Sequence, residues 1–121
     1  MVERDLRAQD AAERALDRIE EPVRRLLSRG VDVIVQAGIP LVTRNGWGYE
    51  EAVQARVKRV TEVPLALDIR CSIASMQALS LSRIALLAGF QEEQLKDIAA
   101  YLGHAAIEVV AMASIRDRER R

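Results

Sequence analysis

Residues Val31-Asp32-Val33-Ile34-Val35-Gln36-Ala37 form a nearly continuous apolar, β-branched run that Gly38-Ile39-Pro40 breaks off. Such a run reads as a strand buried on both faces. The signal returns at Pro64–Leu67, at Ser82–Ala88, again as a buried strand, and at Ile107–Ala113, the last strand. Between the runs lie segments of helical period. Tyr49–Thr61 sets Ala52, Val53, Val57 and Val60 on one side. Residues 69–80 repeat Ile69, Ile73, Met76 and Leu79, and Gln91–Leu102 turns Leu95, Ile98, Ala99 and Leu102 inward. Strands that alternate with helices of this length call for right-handed crossovers and parallel pairing. The expected class is α/β: a Rossmann-like parallel sheet of about four strands (32–37, 64–67, 83–88, 106–113) with flanking helices.

Residues 1–29 are dense in charge, and Leu16, Ile19, Val23, Leu26 and Leu27 recur at three- and four-residue intervals. This is an amphipathic helix with a solvated charged face. Pro22 would remove an interior helical hydrogen bond, so it is expected to open a second helix that Gly30 ends. Residues 116–121 read as a charged tail.

The 18 basic and 18 acidic side chains cancel, and Trp47, Tyr49, Phe90 and Tyr101 are the only aromatics. A neutral chain offers no cationic field for phosphates or anionic lipid, and four aromatics make no base-stacking platform. No nucleic acid and no membrane partner is expected. The apolar stretches are short, and the first residues are charged where a signal peptide has its apolar core, so a soluble, cytoplasmic protein is expected. One cysteine, Cys71, and one histidine, His104, supply neither an intrachain disulfide nor a zinc ligand set. No metal is expected.

In a parallel α/β sheet ligands sit beyond the carboxyl ends of the strands, which directs attention to the loops opening at Gly38, Asp68 and Gly89. The first, Gly38–Tyr49, is long for a strand-to-helix connection but lacks both dinucleotide glycine spacing and a phosphate-loop lysine. Cys71 follows Arg70 near a helix start, where the helix dipole and the guanidinium favour a thiolate, the one nucleophile signal in the chain. Its competing reading is a buried small hydrophobe. Asp68 reads as a cap for the helix starting at Ile69, His104 as a C-terminal capping or surface residue, and Glu92 and Glu93 as acids matched to a helix N-terminus.

Taken together, residues 30–40, the Arg44-Asn45-Gly46-Trp47-Gly48-Tyr49 loop and Arg59–Pro64, then Ile69–Ser72, Gln77–Leu79, Ser82–Leu86 and Gly89–Glu93, resemble the aspartate/glutamate racemase superfamily. The likeness, over roughly residues 22–115, is greatest to its maleate cis-trans isomerase and arylmalonate decarboxylase branch. It implies cofactor-independent isomerisation, racemisation or decarboxylation of small carboxylic acids between two similar α/β lobes. One cysteine from each lobe moves protons at a carbon next to a carboxylate, and preorganised donors stabilise the enediolate. In the decarboxylases the first cysteine is a glycine, and that position falls on Gly38.

The next two positions, which usually bear hydroxyls for the substrate carboxylate, are Ile39 and Pro40. The usual tyrosine after the third strand is Phe90, and an expected asparagine is Leu95. Cys71 falls on neither catalytic cysteine position. The resemblance also implies part of two lobes, with a boundary near residues 80–83: 1–80 from the first lobe and 82–115 opening the second. Two expectations follow. One is a partial, divergent member, inactive by itself, with neither cofactor nor catalytic-position cysteine. The other is a non-catalytic module that binds a small carboxylate or dicarboxylate at Gly38, Ile39, Pro40, Arg70 and Phe90, or that self-associates as a homo-oligomer or belongs to a longer two-lobe chain.

Overall fold

A computed structural model describes residues 2–116, and the side chains of all of these but 2–6 and 8. In chain order the elements are α1 (Val2–Leu27), β1 (Ile34–Gln36), α2 (Pro40–Thr43), α3 (Tyr49–Lys58), β2 (Leu65–Leu67), α4 (Asp68–Ala78), β3 (Arg83–Ala88), α5 (Glu92–His104) and β4 (Glu108–Ser114). The class is α/β with parallel pairing, as expected. The four strands are divided, however, into two sheets of two, β1 with β2 and β3 with β4, and not joined in one. The chain likewise forms two compact units. The first holds the residues up to Ala37 together with Gly48–Leu67, and the second holds Gly38–Trp47 and the residues from Asp68 onward. All of the expected tail beyond Arg116 lies outside the described residues.

In the first unit, α1 runs unbroken through Pro22, which corrects the expectation of two helices. Pro22 and Arg18 are both exposed, so the hydrogen bond that the proline removes lies on the solvent side of the helix, where its loss is least costly. Leu16 and Val23 are buried, whereas Leu26, expected inward, is 49% exposed. Val23 meets Ile34 and Val57 in a small core, with Ile19, Leu27, Val31, Val63 and Leu65 packed around it. Each fully buried aliphatic side chain of this kind stabilises by about 1.5–3 kcal/mol.

The tie between α1 and α3 is polar as well. Arg56, whose side chain is only 14% exposed, donates to Asp17 and also pairs with Glu13 and Glu20. The hydrogen bond to Asp17, reinforced by the three carboxylate charges, raises the guanidinium pKa above its ordinary value. The Tyr49 hydroxyl donates to the Ala12 carbonyl at 3.0 Å. Ile34 pairs with Leu65 and Gln36 with Leu67, and the Gln54 amide donates to the Leu65 carbonyl at 2.8 Å. The strand expected at 32–37 shortens to Ile34–Gln36, and it is not buried on both faces: Ile34 is buried but Val35 is 65% exposed.

In the second unit the core comprises Val42, Ile69, Ile73, Leu95, Ile98, Tyr101, Leu102 and Ile107. α2 packs on α5, and α5 packs on β4. The start of α5 is fixed by the Gln94 side chain, whose oxygen accepts the Gln91 N–H at 2.9 Å. β3 alternates between exposed and half-buried residues, so it is not the buried strand its composition suggests, and most of β4 is exposed. The α4 and α5 segments end through left-handed residues that are not glycine, Ser80 (φ 57°) and Ala106 (φ 61°), each just ahead of a strand.

Candidate functional site

The junction after β1 is held by one carboxylate. Asp68 accepts the Gly38 N–H at 2.8 Å through one oxygen and the Ile69 N–H at 2.7 Å through the other. From its place in the sequence Asp68 is expected only to cap its own helix. α4 in fact begins at Asp68, so the side chain lies in the first turn and is shared with a segment 30 residues earlier. Gly38 has φ +107°, a conformation that side-chain-bearing residues adopt only under strain.

Past Gly38 the chain turns into α2, with Pro40 at the first helical position, where its missing N–H costs nothing. Thr43 is buried and donates its hydroxyl to the Ile39 carbonyl, and the Asn45 amide donates to the Leu41 carbonyl. The connection expected as a long open loop thus contains a turn of helix. Four residues are too few to show a period, which is why the pattern missed it.

Beside this junction lies an open cavity of about 500 Å³ between α4, α5 and β3. Ile39 contributes from the start of α2, Cys71, Ser72 and Ser75 from α4, and Ile84 and Leu86 from β3. Its wall is mostly aliphatic, with a thiol and two hydroxyls along one side. Ser75 donates to the Cys71 carbonyl at 2.8 Å, so its oxygen remains an acceptor toward the cavity.

Of the candidates drawn from sequence, the cavity joins Ile39 with Cys71, and Gly38 is tied to Asp68 next to it. Pro40, Arg70 and Phe90 are not among the residues lining it. Arg70 is exposed in the first turn of α4. Phe90 is half-buried before α5, and its carbonyl accepts the Ser114 hydroxyl. Cys71 is exposed, so the buried-hydrophobe reading of it is corrected. The helical spacing that singled out Ile69 and Ile98 as core also marks them as cavity wall. Nothing in the pattern marked Ser72 and Ser75.

His104 closes α5 and stacks on Trp47, with ring centroids 5.5 Å apart at 19°, while Trp47 meets the buried Tyr101 at 4.9 Å. His104 is exposed, as expected of a helix-end surface residue, and no sequence pattern marks its contact with Trp47. Among the described residues, no three His, Cys, Asp or Glu side chains are grouped so as to hold a metal ion. No described helix is long and apolar enough to cross a membrane.

The arylmalonate decarboxylase family model matches residues 5–119. The chain belongs to the arylmalonate decarboxylase family. Among solved structures it is similar to unliganded arylmalonate decarboxylase, at 19% identity and TM-score 0.78, over 86% of this chain and 45% of that one. A maleate cis-trans isomerase of Nocardia farcinica aligns at 18% identity and TM-score 0.74, over 79% of this chain and 41% of that one. The maleate isomerase Iso of Pseudomonas putida aligns at 22% identity and TM-score 0.67, over 88% and 42%. The chain therefore spans less than half the length of these neighbours and is a partial member of this branch. At such identities the likeness establishes the fold. No curated protein matches the chain by sequence.

Proposed function

We propose that this chain supplies one wall of a cofactor-independent site for a small carboxylic acid, in a two-lobe arrangement whose parent activity is decarboxylation, isomerisation or racemisation. The observation that carries this reading is the cavity beside the Gly38–Asp68 link, reached by Ile39 and lined by Cys71 and Ser72. Its aliphatic side suits the apolar substituent of an acid such as an arylmalonate, and its hydroxyls suit a carboxylate oxygen. The family chemistry leaves an electron pair on the carbon next to a carboxylate, as an enediolate, and an acid returns a proton to that carbon. Gly38 has no side chain to act as that acid, and Cys71 stands off both family cysteine positions. The proton donor is then a residue of the remaining lobe, with the lobe boundary near residues 80–83, and this chain by itself binds without turnover.

Calorimetric titration of the 121-residue protein with phenylmalonate and with maleate tests this. Millimolar binding of at least one acid is expected, weakened at least fivefold by Ile39→Lys and by Ser72→Tyr, with Cys71→Ser close to the parent and no carbon dioxide released. Absence of binding by both acids sinks the site. Turnover that disappears in Cys71→Ser would overturn the assignment of the proton donor to another lobe.

A second reading is non-catalytic binding of a dicarboxylate at the N-terminal turn of α4, favoured by Arg70 being exposed there. In that case Arg70→Ala, and not Ser72→Tyr, is the substitution that removes maleate binding.

A further inference from the structure

A second cleft, of about 180 Å³, lies between the loop that follows α2 and one face of α5, and it shares no residue with the cavity lined by Cys71. All of its residues belong to the second compact unit. On α5, Asp97, Ala100, Tyr101 and His104 fall at positions i, i+3, i+4 and i+7 and so share one face, which sets Asp97 and His104 about 10.5 Å apart along the axis. Ala100, between them, is small and leaves the floor of the cleft open. The other side is formed by Arg44 and Trp47. The indole packs against Tyr101 and stacks on His104, yet stays 46% exposed, so this aromatic wall is in place before a ligand arrives.

We propose that this cleft binds a small ω-amino carboxylate, whose carboxylate meets Arg44, whose ammonium meets Asp97 and whose aliphatic chain lies along Ala100 and the Trp47 ring. Arg44 and Asp97 bring opposite charges into one cleft, and both are exposed. Among the described residues neither side chain has an ion-pair or hydrogen-bond partner, and they do not pair with each other. A simple anion that reached Arg44 would also meet the Asp97 carboxylate, and a simple cation at Asp97 would meet the guanidinium. A zwitterion satisfies both, and the guanidinium fork takes a carboxylate through two parallel hydrogen bonds.

The size of the cleft sets the length of the molecule. Its volume is that of about six waters, more than an ammonium and a carboxylate on a single carbon fill, so a short chain of methylenes belongs between the charged ends. Both charged contacts stay close to water, which weakens them, and a ligand of so few atoms is expected to dissociate at about 1–10 mM.

Trp47 is the only tryptophan, so its emission reads the cleft directly. Glycine, 4-aminobutyrate and 6-aminohexanoate are titrated into the full chain at fixed ionic strength, with butyrate and butylamine as singly charged controls, and binding is followed by Trp47 emission and by calorimetry. One of the two longer zwitterions is expected to change the emission and to bind at least about fivefold more tightly than glycine, butyrate or butylamine. Arg44→Gln removes the advantage over butylamine, and Asp97→Asn removes the advantage over butyrate, with circular dichroism confirming that each variant remains folded. No emission change and no heat with either longer zwitterion, glycine or a singly charged control that binds as tightly, or an advantage that survives both substitutions would each overturn the proposal.

Discussion

Asp68 and Gly38, 30 residues apart in the chain, are joined by a 2.8 Å hydrogen bond from the glycine amide to a carboxylate that also holds the Ile69 amide. This one side chain therefore ties the turn that opens at Gly38 to the entry of α4. Asp68→Ala leaves two amides without their acceptor, and hydrogen bonds to charged groups contribute about 1.5–3 kcal/mol each, so a loss in or above that range is expected in urea unfolding. Asp68→Asn keeps one acceptor and should lose about half as much. Amide exchange at Gly38 should accelerate in both variants, more in the alanine one.

Backbone conformation gives a pair of opposite predictions. Gly38, at φ +107°, tolerates a side chain poorly, and Gly38→Ala should cost about 1–2 kcal/mol. Ala106 already carries a side chain at φ 61° where α5 turns into β4. Ala106→Gly should raise stability by about 0.5–1 kcal/mol, read as a higher urea midpoint with an unchanged slope. Equal signs for the two substitutions would contradict the geometry.

The Trp47 ring lies between Tyr101 and His104, and it is the chain's only tryptophan. Its fluorescence therefore reports on the packing of the loop after α2 against α5. His104→Ala should increase acrylamide quenching of Trp47 without altering the helical content. A double-mutant cycle of Trp47→Leu with His104→Ala should return a coupling of about 0.5–1.5 kcal/mol, the usual range for aromatic pairs.

Arg56 joins α3 to three acids of α1. Its pKa is raised in the fold, first by the hydrogen bond to Asp17, so its stabilising effect is complete below the arginine value and fades only when the pH climbs through the folded value. Between pH 7 and 10 the effect of Arg56→Gln on the melting temperature should accordingly stay constant. Raising salt to about 1 M, where screening acts within about 3 Å, should shrink it. Lysine at this position should recover only part of the loss, because it lacks the fork that spans several carboxylates.

Much of the second unit can be read from residue spacing alone. Ile69 and Ile73, and Leu95, Ile98 and Leu102, are buried where the helical period puts them, because one face of each helix has a single place to go. What the pattern does not show is which surface meets which. Val35 and Leu87 sit in apolar, β-branched or aliphatic runs indistinguishable from core strands, yet both are exposed, because the four strands pair two by two. Pro22 misleads for a related reason: the cost of an interior proline depends on whether the freed carbonyl reaches water, and the residue alone does not say. The cavity was half visible. Gly38 and Ile39 lie at a strand's carboxyl end where topology directs a search, and Cys71 carries a chemical signal. Ser72 and Ser75 become wall residues only through the turn at which α4 meets β3, and no local pattern encodes that.

The short helix after Gly38 also bears on how the protein is made. α2 packs on α5, so residues 40–43 leave the ribosome well before the helix at 92–104 that shelters Val42 exists. At synthesis rates of about 5–20 residues per second, this segment waits for several seconds with its apolar side uncovered. Rare codons between residues 44 and 91 would lengthen that exposure, and a chaperone that shields nascent apolar segments would find its most persistent target there.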